Sequence, residues 1–187
     1  MFGKLFWQNL LRDGAILGVV MALSHIFESY FLFGDISMGK ASLVVSIEML
    51  IVAVFFVWYI YRSVKRRSLE ASDEQGFAYS TGLLYIFLMS VLTGVLVGLG
   101  QTIFVGVIGY DTYIEGIISR YEDMMSLMPM QNAMFEEMLN ELGSSPKPSV
   151  FDNVIASVNN YIISGGIIGL LVAGVVRRAP NPANFQE

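Results

Sequence analysis

Cysteine is absent from the chain. That absence removes disulfides, thiolate zinc sites, thioether-linked haem and a lipoprotein anchor, and it leaves the redox compartment without a signature. Histidine occurs once, at His25, so no HExxH zinc-protease pair can be assembled. No serine stands in a nucleophile elbow, no phosphate-cradling glycine loop is present, and no tandem repeat or low-complexity tract interrupts the chain. These gaps argue against an enzyme, and no cofactor is expected. Charge is scarce too: Asp, Glu, Lys and Arg make up 14% of the 187 residues, where a soluble domain carries about a quarter.

What is present is apolar. Ala, Val, Ile, Leu, Met, Phe, Trp and Tyr account for 55% of the residues and gather in four long runs, long enough to cross a bilayer as helices. The expectation is an all-α, polytopic membrane protein: one membrane domain, a four-transmembrane-helix bundle, with spans at about 14–33, 41–61, 79–110 and 154–176. The first run is longer than the apolar stretch of a signal peptide, about 7–15 residues, and no small-residue cleavage site follows, so it is expected to be retained. Residues 1–12 suit a short interfacial segment.

The third run, Tyr79 to Tyr110, carries no formal charge, and Ser90, Gly94, Gly98, Thr102 and Gly106 recur in it at four-residue spacing. On a helix that spacing makes a continuous groove. In lipid, where the backbone must satisfy its own hydrogen bonds, the run is a helix despite its glycines, and the groove lets neighbouring helices approach closely. Gly14, Gly18, Ala22, His25 and Ser29 trace a similar stripe in the first span, and Ser157, Tyr161, Gly165, Gly169 and Ala173 another in the fourth. Phe27, Tyr30, Phe31 and Phe33 form an aromatic collar at one interface; Phe55, Phe56, Trp58, Tyr59 and Tyr61 form another just before Arg62, Lys65, Arg66 and Arg67.

The net charge of −5 conceals a segregation of signs. Lys4, Arg12, Arg62, Lys65, Arg66, Arg67, Arg177 and Arg178 fall on one side of the spans, and Lys40, Arg120 and Lys147 on the other. By the positive-inside rule the reading is a multi-pass protein of the bacterial inner membrane with both termini cytoplasmic. The basic cluster at 62–67 suits anionic headgroups, not nucleic acid. The outer segment, 111–153, holds eight carboxylates (Asp111, Glu115, Glu122, Asp123, Glu136, Glu137, Glu141, Asp152) against Arg120 and Lys147, a net of −6. Its periodicity predicts an amphipathic continuation of the third helix, an interruption at Pro129, and a second helix over 131–142, together an extracytoplasmic helical hairpin. Met124, Met125, Met128, Met130, Met134 and Met138 crowd this segment. Thioethers can bind Cu(I), but methionine on amphipathic helices more often supplies adaptable apolar contact.

The basic cluster Arg62 to Arg67, the turn Gly76-Phe77-Ala78-Tyr79-Ser80 entering a glycine-rich helix, and the Met- and Glu-rich stretch Tyr121 to Leu142 together resemble the DUF4199 family, uncharacterised membrane proteins of Bacteroidetes. That family often has Gly-x-x-Ser-Phe-Gly-Lys at the turn, where this chain reads Tyr79-Ser80-Thr81-Gly82. The resemblance spans nearly the whole chain and implies the membrane topology. It implies no activity.

Ionisable groups within a span cost on the order of 2.5–3.5 kcal/mol at its centre, so they are candidates for function. At about 1.5 Å per residue, Glu28 lies about 9 Å from the outer boundary, Glu48 about 11 Å, Gln101 about 12 Å and His25 about 13 Å. Asn159, Asn160 and Ser164 of the fourth span begin at a similar depth. A polar layer of His25, Glu28, Glu48, Gln101, Asn159 and Asn160 is therefore expected in the outer third of the bundle. It could serve a proton or cation, a divalent metal included, or clip helices together; no metal site is assigned. The leading expectation is a non-enzymatic structural or interaction subunit of a membrane assembly, with the bilayer, a homo-oligomer or a membrane protein as partner. The alternative is a small transporter or ion-coupled component using the polar layer.

Overall fold

A computed structural model describes residues 3–33, 37–71, 76–127 and 146–180, together with Glu137 and Leu139. The described elements are five helices: α1 (Lys4–Phe33), α2 (Met38–Glu70), α3 (Tyr79–Ile108), α4 (Tyr110–Leu127) and α5 (Val150–Val176). Four of them, all but α4, are long and apolar enough to cross a membrane. The chain is all-α, with one isolated backbone bridge besides the helices among the described residues.

The helices run past the apolar limits read from the sequence. Helix α1 begins at Lys4, so the stretch expected as an interfacial segment is, from there on, its first turns. Helix α2 passes through the basic cluster to Glu70. Charged residues stay helical here because long side chains reach the headgroups while the backbone keeps its ladder. The expected continuation of the third helix is instead broken at Gly109, whose φ of +91° ends α3 and lets Tyr110 start α4 in a new direction. The second outer helix, predicted over 131–142, and most of the methionine cluster lie outside the described residues.

Helix α3 is the axle of the bundle. One of its faces packs against α5 in antiparallel register: Gly82 meets Ala173, Ile86 meets Gly169, Ser90 meets Gly165, Gly94 meets Val158 and Gly98 meets Val154. The approach is backbone to backbone, since a β-carbon added at Gly94 would stand 2.5 Å from Cα of Val158, and one at Gly98 2.6 Å from Cα of Val154. A second face takes α1, with Leu92 and Leu96 lying over Gly14 and Gly18, and Gly100 over Ala22. The small residues of all three stripes thus carry the contact that drives association in lipid, where burial of apolar surface contributes little. Gly106 departs from the pattern: it is exposed, and a β-carbon there would meet nothing within 4 Å. Tyr161 departs as well, turning from α3 to set its ring edge-on to Phe56 of α2. Helix α2 packs least on α3 and rests mainly on α1 and α5.

One end of the bundle is tied by the chain itself. Beyond α5, Arg178 and Phe77 exchange both backbone hydrogen bonds, at 2.9 and 3.0 Å. The Arg178 guanidinium donates to the Ala71 carbonyl at 2.7 Å, and Ser68 Oγ donates to the Val176 carbonyl at 2.8 Å. Gly76 makes room for the strap: its φ is +64°, and a β-carbon would fall 2.6 Å from the Arg178 carbonyl oxygen. Arg62–Arg67, Arg177 and Arg178 accordingly share this basic end. At the other end Ser149 caps α5 by a reciprocal pair with Asp152.

The packing separates the glycines by function. Gly94→Val is expected to lower stability by about 1–3 kcal/mol through overpacking against Val158, while Gly106→Ala is expected to stay within about 0.5 kcal/mol of the parent. Thermal unfolding in detergent reads both; a Gly94→Val protein as stable as the parent would refute the close approach.

Candidate functional site

Where α2 makes little contact with α3, the bundle leaves an open-sided cavity of about 570 Å³ between α1, α2 and α5, with one residue of α3. Helix α1 contributes Met21, Ser24, His25 and Glu28; α2 contributes Glu48, Met49, Val52, Ala53 and Phe56; α3 contributes Gln101; and α5 contributes Asn153, Ala156, Ser157, Asn160, Tyr161 and Ser164. The walls are apolar towards Met21 and Phe56 and polar around the carboxylates. Of the residues expected to form a polar layer, the fold brings His25, Glu28, Glu48, Gln101 and Asn160 to this one space. Asn159 is exposed and does not line it: one helical step, about 100°, turns it off the face that Asn160 occupies.

The polar groups are paired in a definite way. His25 Nδ1 lies 3.5 Å from a Glu28 carboxylate oxygen, one turn along the same helix. Ser24 Oγ donates to Glu48, joining α1 to α2. Asn153 donates from Nδ2 to Thr102 Oγ1 at 3.2 Å, fixing the start of α5 on α3. Above the cavity, a side-chain hydrogen bond connects Tyr113 of α4 to Gln101. Burial pushes the Tyr113 phenol above its ordinary range, with Gln101 opposing, so the ring stays neutral. No three His, Asp or Glu side chains among the described residues are grouped so as to hold a metal ion. Glu48 takes a serine as its partner, apart from the His25–Glu28 pair.

A second polar centre was not anticipated. Asp13 of α1 is fully buried and receives two hydrogen bonds from the Arg66 Nη2 of α2, both at 2.7 Å, and one from the Tyr85 hydroxyl of α3 at 2.8 Å. Arg12 Nε adds a bond at 3.2 Å. Three helices are thereby joined at one carboxylate. The expected span begins at Gly14, which leaves Asp13 just outside it and without an assigned role, whereas α1 begins at Lys4. The available signal was an acid at the very edge of an apolar run with basic residues across from it. Arg67 is also buried and bonds Glu70. The cluster at 62–67 is thus only in part a headgroup contact. The Asp13 centre lies about 16 Å from Ser24 along α1, and buried Leu17, Ile60, Tyr85 and Met89 fill the space between.

The architecture defines a polytopic helical membrane protein with four membrane-crossing helices. Within that class the chain belongs to the DUF4199 family, described as a protein of unknown function, whose family model matches residues 12–178. No curated protein and no solved structure matches the chain.

The Asp13 centre predicts an asymmetry. Arg66→Met leaves a buried carboxylate with Arg12 alone as its cation and is expected to cost on the order of 3 kcal/mol. Asp13→Asn is expected to cost less, because the Arg66 side chain is 42% exposed and can extend to the headgroups. Combining Asp13→Leu with Arg66→Met should recover only part of the loss, because the buried Tyr85 hydroxyl still loses its acceptor. Thermal unfolding of the three variants measures the order.

Proposed function

We propose that the chain is a non-catalytic membrane protein whose acidic cavity binds a small cation or a proton, and that it works as a small transporter or ion-coupled component. The observation that carries this reading is the convergence of Glu28, His25 and Glu48, from two helices, on one cavity that also presents Gln101, Asn160 and Ser164. Carboxylates are expensive at this depth and are retained where they meet a polar solute or one another. Neighbouring amide and hydroxyl groups are oriented to share such a solute without competing charge. Four spans are few for a conduction path, so the working form is a homo-oligomer. The orientation that fits has both termini cytoplasmic, in a bacterial inner membrane, with α4 outside; it is supported by the arginines gathered at the strapped end.

A second reading, a structural subunit of a membrane assembly, is favoured by one contact. Ser24 and Glu48 clip α1 to α2 at the level of the cavity, away from the Asp13–Arg66 pair that joins the same helices near the strapped end. On that reading Glu48 is a packing group and the partner, another membrane protein or another copy, sits against the lipid-facing helices or α4.

Glu48→Gln separates the two. Ion-coupled action predicts that, in proteoliposomes, cation or proton flux falls at least tenfold while the melting temperature at any pH matches or exceeds the parent, since functional carboxylates are held at a cost in stability. Unchanged flux with melting several degrees lower would reject transport in favour of the clip.

A further inference from the structure

Gln101 and Asn153 form a wall shared by the acidic cavity and a neighbouring one. This second cavity, of about 820 Å³, lies between the end of α3, α4 and the 146–150 approach to α5. Its walls differ from the first: Val105, Tyr110, Ile114 and Ile117 face Pro148 and Val150. Among the described residues the single charged one in this lining is Lys147, which is exposed and can carry its ammonium into water. Measured along α5, the linings of the two cavities together extend from Ser149 to Ser164, about 22 Å.

Gly106 explains how the second cavity stays open. Ser90, Gly94 and Gly98 are consumed by packing on α5, and Thr102 holds Asn153. At Gly106, last in the series, an added β-carbon would meet nothing within 4 Å among the described residues, and the glycine lines the vestibule. The small-residue spacing is used there to keep space vacant. An occupant spanning both cavities has an apolar body against the vestibule walls and a positive head among the carboxylates. Tyr110 and Tyr113 offer ring faces of the kind that attract a cation in transit.

Resting on the cation reading of the acidic cavity, we infer that the solute is a lipophilic organic cation, a hydrophobic amine or quaternary onium ion, which enters from the lipid–water interface beneath α4. The vestibule receives its apolar part and Glu28 and Glu48 its charge. An inorganic cation would leave the vestibule without a role. Selectivity follows from two conditions met together, since a neutral apolar molecule leaves the carboxylates unpaired and a small hydrophilic cation leaves the vestibule wet.

Equilibrium binding of radiolabelled tetraphenylphosphonium to the full chain in nanodiscs, with empty discs subtracted, tests this against tetramethylammonium as the small cation. The expected result is saturable tetraphenylphosphonium binding, weakened at least tenfold by Gly106→Phe, with tetramethylammonium binding changed less than twofold. Gly106→Phe projects into open space, so its melting temperature should match the parent. Ile117→Asn, on the opposite wall, gives an independent reading if it does not. Wild-type protein that binds tetramethylammonium but not tetraphenylphosphonium, or vestibule variants that bind tetraphenylphosphonium as the parent does, would overturn the inference and leave the acidic-cavity reading standing. Failure to bind either ion would overturn the inference, while the acidic-cavity reading stands or falls on the Glu48→Gln flux.

Discussion

The bundle depends on how closely α3 and α5 approach. At Gly94 and Gly98 there is no space for even one carbon between the two backbones. In a bilayer the attraction at such a seam comes from dispersion and from weak polar contacts along the backbone, both of which fall off steeply with distance. A side chain at either position would therefore remove the contact as well as strain it. Thr93 and Thr102 send their hydroxyls back to the Met89 and Gly98 carbonyls, so their polar atoms are satisfied within α3 itself. The seam asks nothing of a third helix.

With α3 engaged by α5 on one face and by α1 on another, α2 is left to close the bundle over larger side chains. Phe56, Ile60 and Val64 fill the lower part, and above them Glu48, Met49, Val52 and Ala53 line the cavity. The cavity is the space left where α2 makes little contact with α3. Glycine seams draw two pairs of helices together; bulky residues on the fourth keep it apart. The same sequence logic that makes a tight membrane core thus makes an open-sided space, and the polar residues of α1, α2 and α5 fall at its level.

Much of this was legible in the residues. Four apolar runs, the small-residue stripes and the segregation of charge are strong, redundant signals, and the helical depth arithmetic brought five of the six polar-layer residues to one cavity. Asn159 shows the limit of that arithmetic, which fixes depth and leaves azimuth free. Asp13 shows a second limit. Hydropathy locates a span by its apolar stretch, so a charged residue within a helix but outside that stretch is left without an assigned role. Its burial follows from Arg66, more than fifty residues distant in sequence, folding back beside it. Pairing at such range is a property of tertiary packing. Gly106 shows a third: spacing placed it in the groove, and only the position of α5 reveals that the groove has run past its partner there.

The two polar centres also differ in how completely they are satisfied. Asp13 accepts bonds from Arg66, Tyr85 and Arg12, enough to occupy most of the lone pairs a carboxylate presents. A network saturated in this way is rigid, and removing any member leaves another stranded at low dielectric. Among the described residues Glu28 and Glu48 each meet a single neutral or titratable partner, His25 and Ser24, and both line the cavity. A protein that needed those carboxylates only as clips could have paired them as fully as Asp13, since arginine and tyrosine are available in the same helices. The contrast between a saturated centre at the strapped end and an unsaturated one at the cavity is what a binding site requires: one end held fixed, the other with hydrogen-bonding capacity left for a solute.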